Sequence, residues 1–157
     1  RFMIRKLVPI LLFTAILAGC DKDKFNTKPS LEVKDFTSIV SADNEALFSI
    51  SLEFTDKEGD LSGVDSAVYY QAYYLNVRDL IGGPVSSPAY DRTPSFPEKS
   101  SGEIQLQLPR FGYYKDFVRD QGTKDKNDTL IFRIALRDQA GNISDTITAG
   151  PIVLLGQ

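Results

Sequence analysis

Apolar and polar residues alternate along most of the chain beyond residue 30, with a period of two. Successive side chains of a β-strand point to opposite faces, so this period predicts strands with one buried face. Residues 103–108 and 130–137 show the alternation, with Arg133 and Arg137 predicted to point outward. The clearest run covers residues 46–55, where apolar side chains hold every second position: Ala46, Phe48, Ile50, Leu52 and Phe54.

Three further segments predict strands, although their alternation is less regular. Residues 67–77 are dense in tyrosine and β-branched residues, which favour strands. Residues 31–39 and 143–155 add an early and a late strand, and Gly150-Pro151 interrupts the late one. Six or seven short strands with almost no helical period predict an all-β protein, an antiparallel β-sandwich of about seven strands.

Two segments resemble parts of a known fold family. Residues 128–145 resemble the last hairpin of bacterial immunoglobulin-like and fibronectin-type-III-like domains. Residues 54–61 resemble a loop of Bacteroidetes-type lipoproteins that carry such domains. The resemblance implies an immunoglobulin-like sandwich over residues 31–157. The chain has no tryptophan and one cysteine, so it lacks the buried tryptophan and the disulfide of antibody domains.

The first twenty residues follow a different pattern. Arg5 and Lys6 precede a nearly unbroken apolar run at 7–18, which is typical of a signal peptide and shorter than the roughly 20 residues of a membrane span. The run ends in Leu17-Ala18-Gly19-Cys20, which resembles the lipobox of bacterial lipoproteins. That resemblance implies cleavage before Cys20 and lipidation of its thiol. The alternative is an ordinary secretory signal followed by an unpaired cysteine.

These features predict three parts of the chain. Residues 1–19 are a lipoprotein signal peptide, residues 20–30 a lipid-anchored flexible tether, and residues 31–157 the sandwich. Each buried acyl CH₂ contributes about 0.8 kcal/mol, so two or three chains on Cys20 would hold the protein at a membrane. The likeness to Bacteroidetes-type lipoproteins implies an outer-membrane or cell-surface location, with the periplasmic face as the alternative.

Composition narrows the functional classes. Three of the 18 basic residues and none of the 21 acidic residues lie in 1–19, so the remaining chain carries a net charge of −6. That charge argues against nucleic acid as a partner. Histidine is absent, which excludes a Ser-His-Asp triad and most zinc sites. We therefore expect a protein that is not an enzyme.

Oxygen-bearing side chains gather in two predicted loops. In an immunoglobulin-like sandwich, residues 56–60 connect the second and third strands, and residues 138–142 connect the last two. Those loops share one end of the fold. The sequence thus suggests a structural Ca²⁺ site, since oxygen-only clusters suit this ion. The alternative is that the aspartates accept backbone N–H bonds within their own turns. The candidate ligands are Asp56, Glu58, Asp60, Asp138 and Asn142.

Tyrosines supply the candidate binding surface. On the predicted strand at 67–77, Tyr70 and Tyr74 share one face and Tyr69 and Tyr73 share the other, so one pair is expected to be buried and the other at least partly exposed. The long connections at 79–100 and 109–127 add three candidates for stacking on sugar rings or a protein partner: Tyr90, Tyr113 and Tyr114. The alternative is that another sheet or the proline-rich loop covers these rings.

The function predicted from these features is that of a non-catalytic, lipid-anchored cell-envelope protein. It would act as a binding or assembly module for a glycan or protein partner and attach to the membrane through lipid on Cys20. Two alternatives stay open: a small hydrolase that uses paired carboxylates, and a purely structural envelope protein.

Overall fold

Two β-sheets pack face to face around one apolar core. The computed structural model describes residues 28–75, 81–85, 87–114 and 126–156. In this part of the chain no helix has the length and apolarity needed to cross a membrane. The strands are β1 (Ser30–Phe36), β2 (Ile39–Val40), β3 (Leu47–Thr55), β4 (Ala67–Leu75), β5 (Ile81–Pro84), β6 (Ala89–Arg92), β7 (Ser101–Pro109), β8 (Asp128–Arg137) and β9 (Ile147–Leu154).

The smaller sheet has three antiparallel strands in the order β1-β3-β7. Its central strand alternates as the sequence predicts, because every second side chain of β3 enters the core. Ile50 of β3 lies opposite Leu106 of β7, and Leu52 lies opposite Ile104. These four side chains are almost fully buried, and Ile50 and Leu52 are completely so. Burial of this apolar row holds the register, since a one-residue slip would turn it toward solvent.

The larger sheet runs in the order β2-β9-β8-β4-β5, and β6 also pairs with β4. All pairs are antiparallel except β2 with β9, which is parallel. β8 lies at the centre and sends Leu130, Phe132, Ile134 and Leu136 into the core, each completely buried. The orders β1-β3-β7 and β9-β8-β4 correspond to the strand order of immunoglobulin-type sandwiches.

The prediction of an all-β sandwich is confirmed, and the structure has nine strands among its described residues rather than about seven. The predicted strand at 31–39 divides into β1 and β2, which join different sheets. The predicted connection at 79–100 contains two short edge strands, β5 and β6. The predicted signal peptide, Cys20 and most of the predicted tether lie outside the described residues.

One end of the sandwich is closed by the segment after β7. A 3₁₀ helix, Arg110–Gly112, turns the chain back toward the core. The Arg110 guanidinium is completely buried, lies 3.9 Å from the centroid of the Tyr114 ring, and donates to the Leu155 carbonyl at 2.7 Å. The Tyr113 ring makes edge contacts with Phe48 and Phe132. The predicted carboxylates lie at the opposite end, which is formed by the β3–β4 and β8–β9 loops.

Candidate functional site

Three carboxylates meet at the loop end of the sandwich. Asp56 follows β3 directly, Asp60 lies four residues further on, and Asp138 follows β8. One carboxylate oxygen from each residue lies within 4.8 Å of the others. The two loops are also joined directly, because the Gln139 N–H donates to the Asp60 carbonyl at 3.2 Å. The fold therefore brings together three of the five predicted ligands, from both predicted loops.

The same carboxylates also organise their own turns. Asp56 accepts the Asp60 N–H at 2.9 Å and, more weakly, the Glu58 N–H at 3.4 Å. Asp138 accepts the Asn142 N–H at 2.7 Å and the Asn142 side-chain amide at 2.8 Å. Such bonds hold a turn by replacing backbone partners with carboxylate oxygens. The turn-forming alternative thus describes real contacts. Each oxygen of Asp56 and Asp138 accepts one of these bonds, and the Oδ1 atom of Asp60 accepts none.

Asp60 is the least buried carboxylate of this group. Asp56 and Asp138 are nearly or completely buried, and Asp60 is half-buried. The Oδ1 atom of Asp60 is buried and has no hydrogen-bond partner among the described residues. Burial raises the pKa of the Asp60 carboxyl, and a hydrogen bond with Asp56 and the charges of Asp138 and Asp56 raise it further. Like charges this close in a poorly solvated place repel each other, and a bound cation would relieve that repulsion.

Two predicted ligands take other roles. The Glu58 side chain is exposed and lies outside the three-carboxylate cluster, because this turn directs the Glu58 backbone N–H rather than its carboxylate toward Asp56. Asn142 donates its side-chain N–H₂ group to Asp138, so its amide orients a carboxylate of the cluster. The prediction that Glu58 faces the cluster as a ligand is wrong for this arrangement, and a ligand role for Asn142 stays a prediction.

The loop that carries Asp56 and Asp60 is held from several sides. Gly59 adopts a φ of 73°, a conformation that side chains with a Cβ disfavour. Leu61 follows and is completely buried in the core. Ser66 donates its hydroxyl to the Asp60 carbonyl at 3.2 Å. The buried leucine and the tight glycine turn therefore fix the position of the acidic pair before any ligand arrives.

A second feature covers the outer face of the larger sheet. On β4, Tyr70 lies in the core, whereas Tyr69 and Tyr73 lie half-buried on the opposite face. The predicted division of the tyrosines between two faces is confirmed. The Tyr69 ring lies 5.6 Å from the exposed Tyr90 ring of β6. We call this surface the tyrosine–arginine face and define it by Tyr69, Gln71, Tyr73, Tyr90, Arg92, Arg133 and Arg137.

Arginines frame these rings. The Arg133 guanidinium lies 4.9 Å from the Tyr73 centroid, and the Arg137 guanidinium lies 5.4 Å from the Tyr69 centroid. Both separations fall within the range of a cation–π contact. Among the described residues, no carboxylate lies within 4.0 Å of a basic group of Arg92, Arg133 or Arg137. The face thus presents aromatic rings and positive charge that lack an acidic counterpart in the described chain.

A shallow concavity of about 290 Å³ opens on this face. Its lining includes the side-chain-bearing positions Tyr69, Gln71, Tyr73 and Arg133, together with Pro88 at its margin. No aspartate or glutamate contributes to the lining. The Tyr73 hydroxyl donates to the Gln71 side-chain carbonyl at 2.7 Å, which holds the floor of the concavity in one arrangement. This depression can take a small group while the rest of a longer ligand lies across the sheet.

The three tyrosines predicted to bind a ligand differ in their exposure to solvent. Tyr90 is 58% exposed and belongs to the tyrosine–arginine face. Tyr114 is only 1% exposed, and its hydroxyl donates to the Lys126 carbonyl, so the expectation of an available ring is wrong there. Tyr113 is half-buried against Phe48 and Phe132, and burial raises its pKa. Arg110 draws Tyr114 inward, an effect that the loop sequence alone does not reveal.

The fold brings to this face several residues that the predicted set of Tyr90, Tyr113 and Tyr114 did not contain. Tyr69, Tyr73, Arg133 and Arg137 converge because β4 and β8 pair with Tyr69 opposite Ala135 and Gln71 opposite Arg133. The alternation within β8 predicts that both arginines point outward, and this was the feature of the sequence that could have identified them. The partner strand and its register, which decide what lies beside those arginines, are set by the tertiary structure.

No protein-family model and no curated protein matches this chain. Among solved structures, a β-glucosidase from Listeria innocua in complex with glucose is similar at 10% identity and a TM-score of 0.39, over 83% of this chain and 16% of that one. A β-glucosidase from Kluyveromyces marxianus in complex with glucose is similar at 12% identity and a TM-score of 0.33, over 84% of this chain and 15% of that one. A CARDB domain from Pyrococcus furiosus in complex with di-metal ions is similar at 10% identity and a TM-score of 0.31, over 87% of this chain and 100% of that one.

The chain thus spans about one sixth of the glucosidases that it overlaps. Likeness at this level assigns neither a family nor an activity to the chain.

Proposed function

We propose that this chain is a non-catalytic, lipid-anchored cell-envelope protein whose sandwich binds a ligand through the tyrosine–arginine face. The observation that carries the proposal is the exposed group of rings and arginines with no carboxylate partner among the described residues. Tyrosine and arginine are enriched at binding surfaces because they combine large contact area with directional hydrogen bonds. A purely structural envelope protein has no need of such a surface.

The arrangement of the acids supports a role other than hydrolysis. A glycoside hydrolase needs two carboxyl groups roughly 5 to 9.5 Å apart on either side of a bound sugar. Here the clustered carboxylates Asp56 and Asp138 are buried and engaged in turns. The concavity on the sheet face has no acid in its lining. The acids and the accessible depression therefore lie apart, which favours binding without catalysis.

The binding role is tested with the full chain, purified in detergent and applied to envelope fractions from its own cells. Arg92→Gln combined with Arg133→Gln removes two positive charges from the face. Lys99→Gln combined with Lys126→Gln removes two exposed charges elsewhere and serves as the matched control. We expect at least tenfold weaker retention for the face variant alone. Equal retention of the two variants would contradict the proposed function.

The anchor rests on the run Leu17-Ala18-Gly19-Cys20 and on the basic and apolar residues before it. We propose lipidation at Cys20 and an outer-membrane or cell-surface location. Cells that express the full chain are labelled with a palmitate analogue, and Cys20→Ser is expected to abolish the label and release the protein from membranes. Unchanged labelling of that variant would exclude Cys20 as the lipidated residue.

We further propose that Asp56, Asp60 and Asp138 hold a structural Ca²⁺ ion. Ca²⁺ binds oxygen ligands at about 2.3–2.6 Å, so two ligands of one ion are at most about 5.2 Å apart. The three carboxylate oxygens lie within 4.8 Å of one another, which is compatible with a shared ion. The buried, unpartnered Oδ1 atom of Asp60 supports the same assignment. Such an ion would brace the two loops without taking part in ligand binding on the sheet face.

A further inference from the structure

We infer that the tyrosine–arginine face binds an acidic oligosaccharide, one whose sugars carry carboxylates in the manner of uronic acids. The inference rests on the proposed binding function of this face and names its ligand class. It draws on three properties of the face: the charge and spacing of its arginines, its exposed rings, and the fully paired backbone of β4 and β8 beneath its centre.

Charge is the first property. Without residues 1–19 the chain has a net charge of −6, yet this face gathers three arginines and its concavity contains no acid. An arginine guanidinium presents paired N–H donors that match a carboxylate. A face with several such groups and no internal carboxylate partner among the described residues is complementary to an anionic ligand.

The spacing of the arginines points to a ligand with repeated acidic groups. Ala67 of β4 pairs with Arg92 on one side and Arg137 on the other, so the two arginines are two strand spacings apart, about 10 Å. Arg133 precedes Arg137 by four residues on β8, which corresponds to about 13 Å. These spacings separate the backbone positions of the three arginines along the sheet. A chain that carries one acid on successive sugars reaches more than one.

The rings provide the second property. Tyr90 is largely exposed, and Tyr69 lies beside it with an angle of 34° between the two ring planes. Arg133 and Arg137 hold Tyr73 and Tyr69 through their cation–π contacts, which limits the motion that binding would otherwise have to arrest. Flat, preorganised rings next to hydrogen-bonding groups suit a sugar, which has an apolar ring face and polar edges.

Strand pairing makes the centre of the face unsuitable for an added peptide strand. Extended peptides commonly bind by adding a strand to a free sheet edge, where main-chain bonds supply affinity. Here β4 is paired with β8 on one side and with β5 and β6 on the other, and β8 is paired with β4 and β9, so the sheet edge nearest the face lies at β5 and β6 and not at its centre. The backbone of β4 and β8 under the centre of the face is therefore already bonded. A ligand that lies over β4 and β8 is recognised through rings, guanidinium groups and amides, which suit an acidic sugar chain.

The inference is tested by calorimetry on the full chain in detergent, with three probes. The probes are a tetramer of galacturonic acid, a neutral xylan-derived tetramer, and poly-L-glutamate. We expect the acidic tetramer to bind at least tenfold more tightly than the neutral one, with an affinity that falls as salt rises. The combined Arg92→Gln and Arg133→Gln variant should lose at least tenfold in affinity for the acidic tetramer. The Lys99→Gln and Lys126→Gln control should bind as the wild type does.

A second variant, Tyr90→Ser, removes the most exposed ring and should weaken the acidic tetramer without affecting the melting temperature. Two results would overturn the ligand class while leaving the binding function intact. One is poly-L-glutamate that binds with the expected arginine dependence while the acidic tetramer does not. The other is equal affinity for the neutral and acidic tetramers. Binding of no probe also overturns the inference, and retention on envelope fractions then shows whether the proposed function falls with it.

Discussion

The carboxylate cluster should give Asp60→Asn opposite effects on stability with and without calcium. Asparagine has nearly the same shape as aspartate and carries no charge, so the substitution removes repulsion from Asp56 and Asp138. In chelator we therefore expect the variant to be more stable than the wild type. In calcium we expect the order to reverse, because the wild type alone keeps three anionic ligands.

The magnitude follows from the separation of the charges. Two unit charges 4.8 Å apart interact by about 3.5 kcal/mol at an effective dielectric constant of 20 and by about 0.9 kcal/mol in bulk water. Asp60 is half-buried and partly screened by solvent, so we expect a gain of about 1–2 kcal/mol in chelator. For a domain of this size that gain corresponds to roughly 4–8 °C in melting temperature.

Calcium should move the wild type further. An ion at 100 times its dissociation constant stabilises the folded state by about 2.7 kcal/mol, a shift on the order of 10 °C here. With one ligand charge removed, the calcium shift of Asp60→Asn should be less than half of that. Glu58→Gln is the matched control, since Glu58 is an exposed acid in the same loop and lies outside the cluster.

The assay is thermal unfolding of the full chain in detergent, followed by circular dichroism in excess chelator and then in excess calcium. A wild-type melting temperature that is the same in both conditions would refute the calcium site. An Asp60→Asn variant that is no more stable than the wild type in chelator would refute the repulsion argument itself. Both results together would leave Asp56 and Asp138 as turn formers and nothing more.

Three further predictions concern the core and its edges. Burial raises the pKa of Tyr70 and Tyr113, so above pH 10 the folded state keeps protons that the unfolded chain releases, and stability falls as pH rises. Tyr70→Phe should remove up to about 1.4 kcal/mol per pH unit from that fall, and urea unfolding at pH 9 and at about pH 11 measures the difference. Gly150→Ala should lower the free energy of unfolding by at least about 1–3 kcal/mol, because Gly150 has a φ of 125° and a Cβ would lie 2.9 Å from a β8 carbonyl oxygen. Gly112→Ala is its control in thermal melts, because a Cβ there meets nothing within 4 Å. Leu61→Ala should cost about 2–5 kcal/mol in urea unfolding, and a cost below 1 kcal/mol would contradict the role of Leu61 as the buried support of the acidic loop.

The sequence by itself determined which segments become the main strands. The alternation around Phe48, Leu106 and Phe132 predicts β3, β7 and β8 because adjacent side chains of an extended chain point to opposite sides, a property of local covalent geometry. It also determined the net charge and the absence of histidine, which limit the available chemistry. The lipid anchor at Cys20 stays a prediction, since that residue lies outside the described part of the chain.

Edge strands were harder to predict. β5 and β6 are four residues each in a proline-rich stretch, and both depend on β4 for their backbone partners. β2 has only two residues and pairs in parallel with β9, far away in sequence. Segments this short carry no alternation of their own, so their structure is decided by the strand that they meet.

At both candidate sites, the sequence predicts part of the arrangement and the tertiary structure decides the rest. The likeness of the loops to an immunoglobulin-type fold was enough to place Asp56, Asp60 and Asp138 at one end, but only the hydrogen bonds within the turns decided that Glu58 faces solvent. Arg137 could be predicted to point outward, whereas its position across β4 from Arg92 depends on strand register. Register is set by how two apolar faces fit together across the sandwich, and that fit is a property of distant segments acting jointly rather than of any one of them.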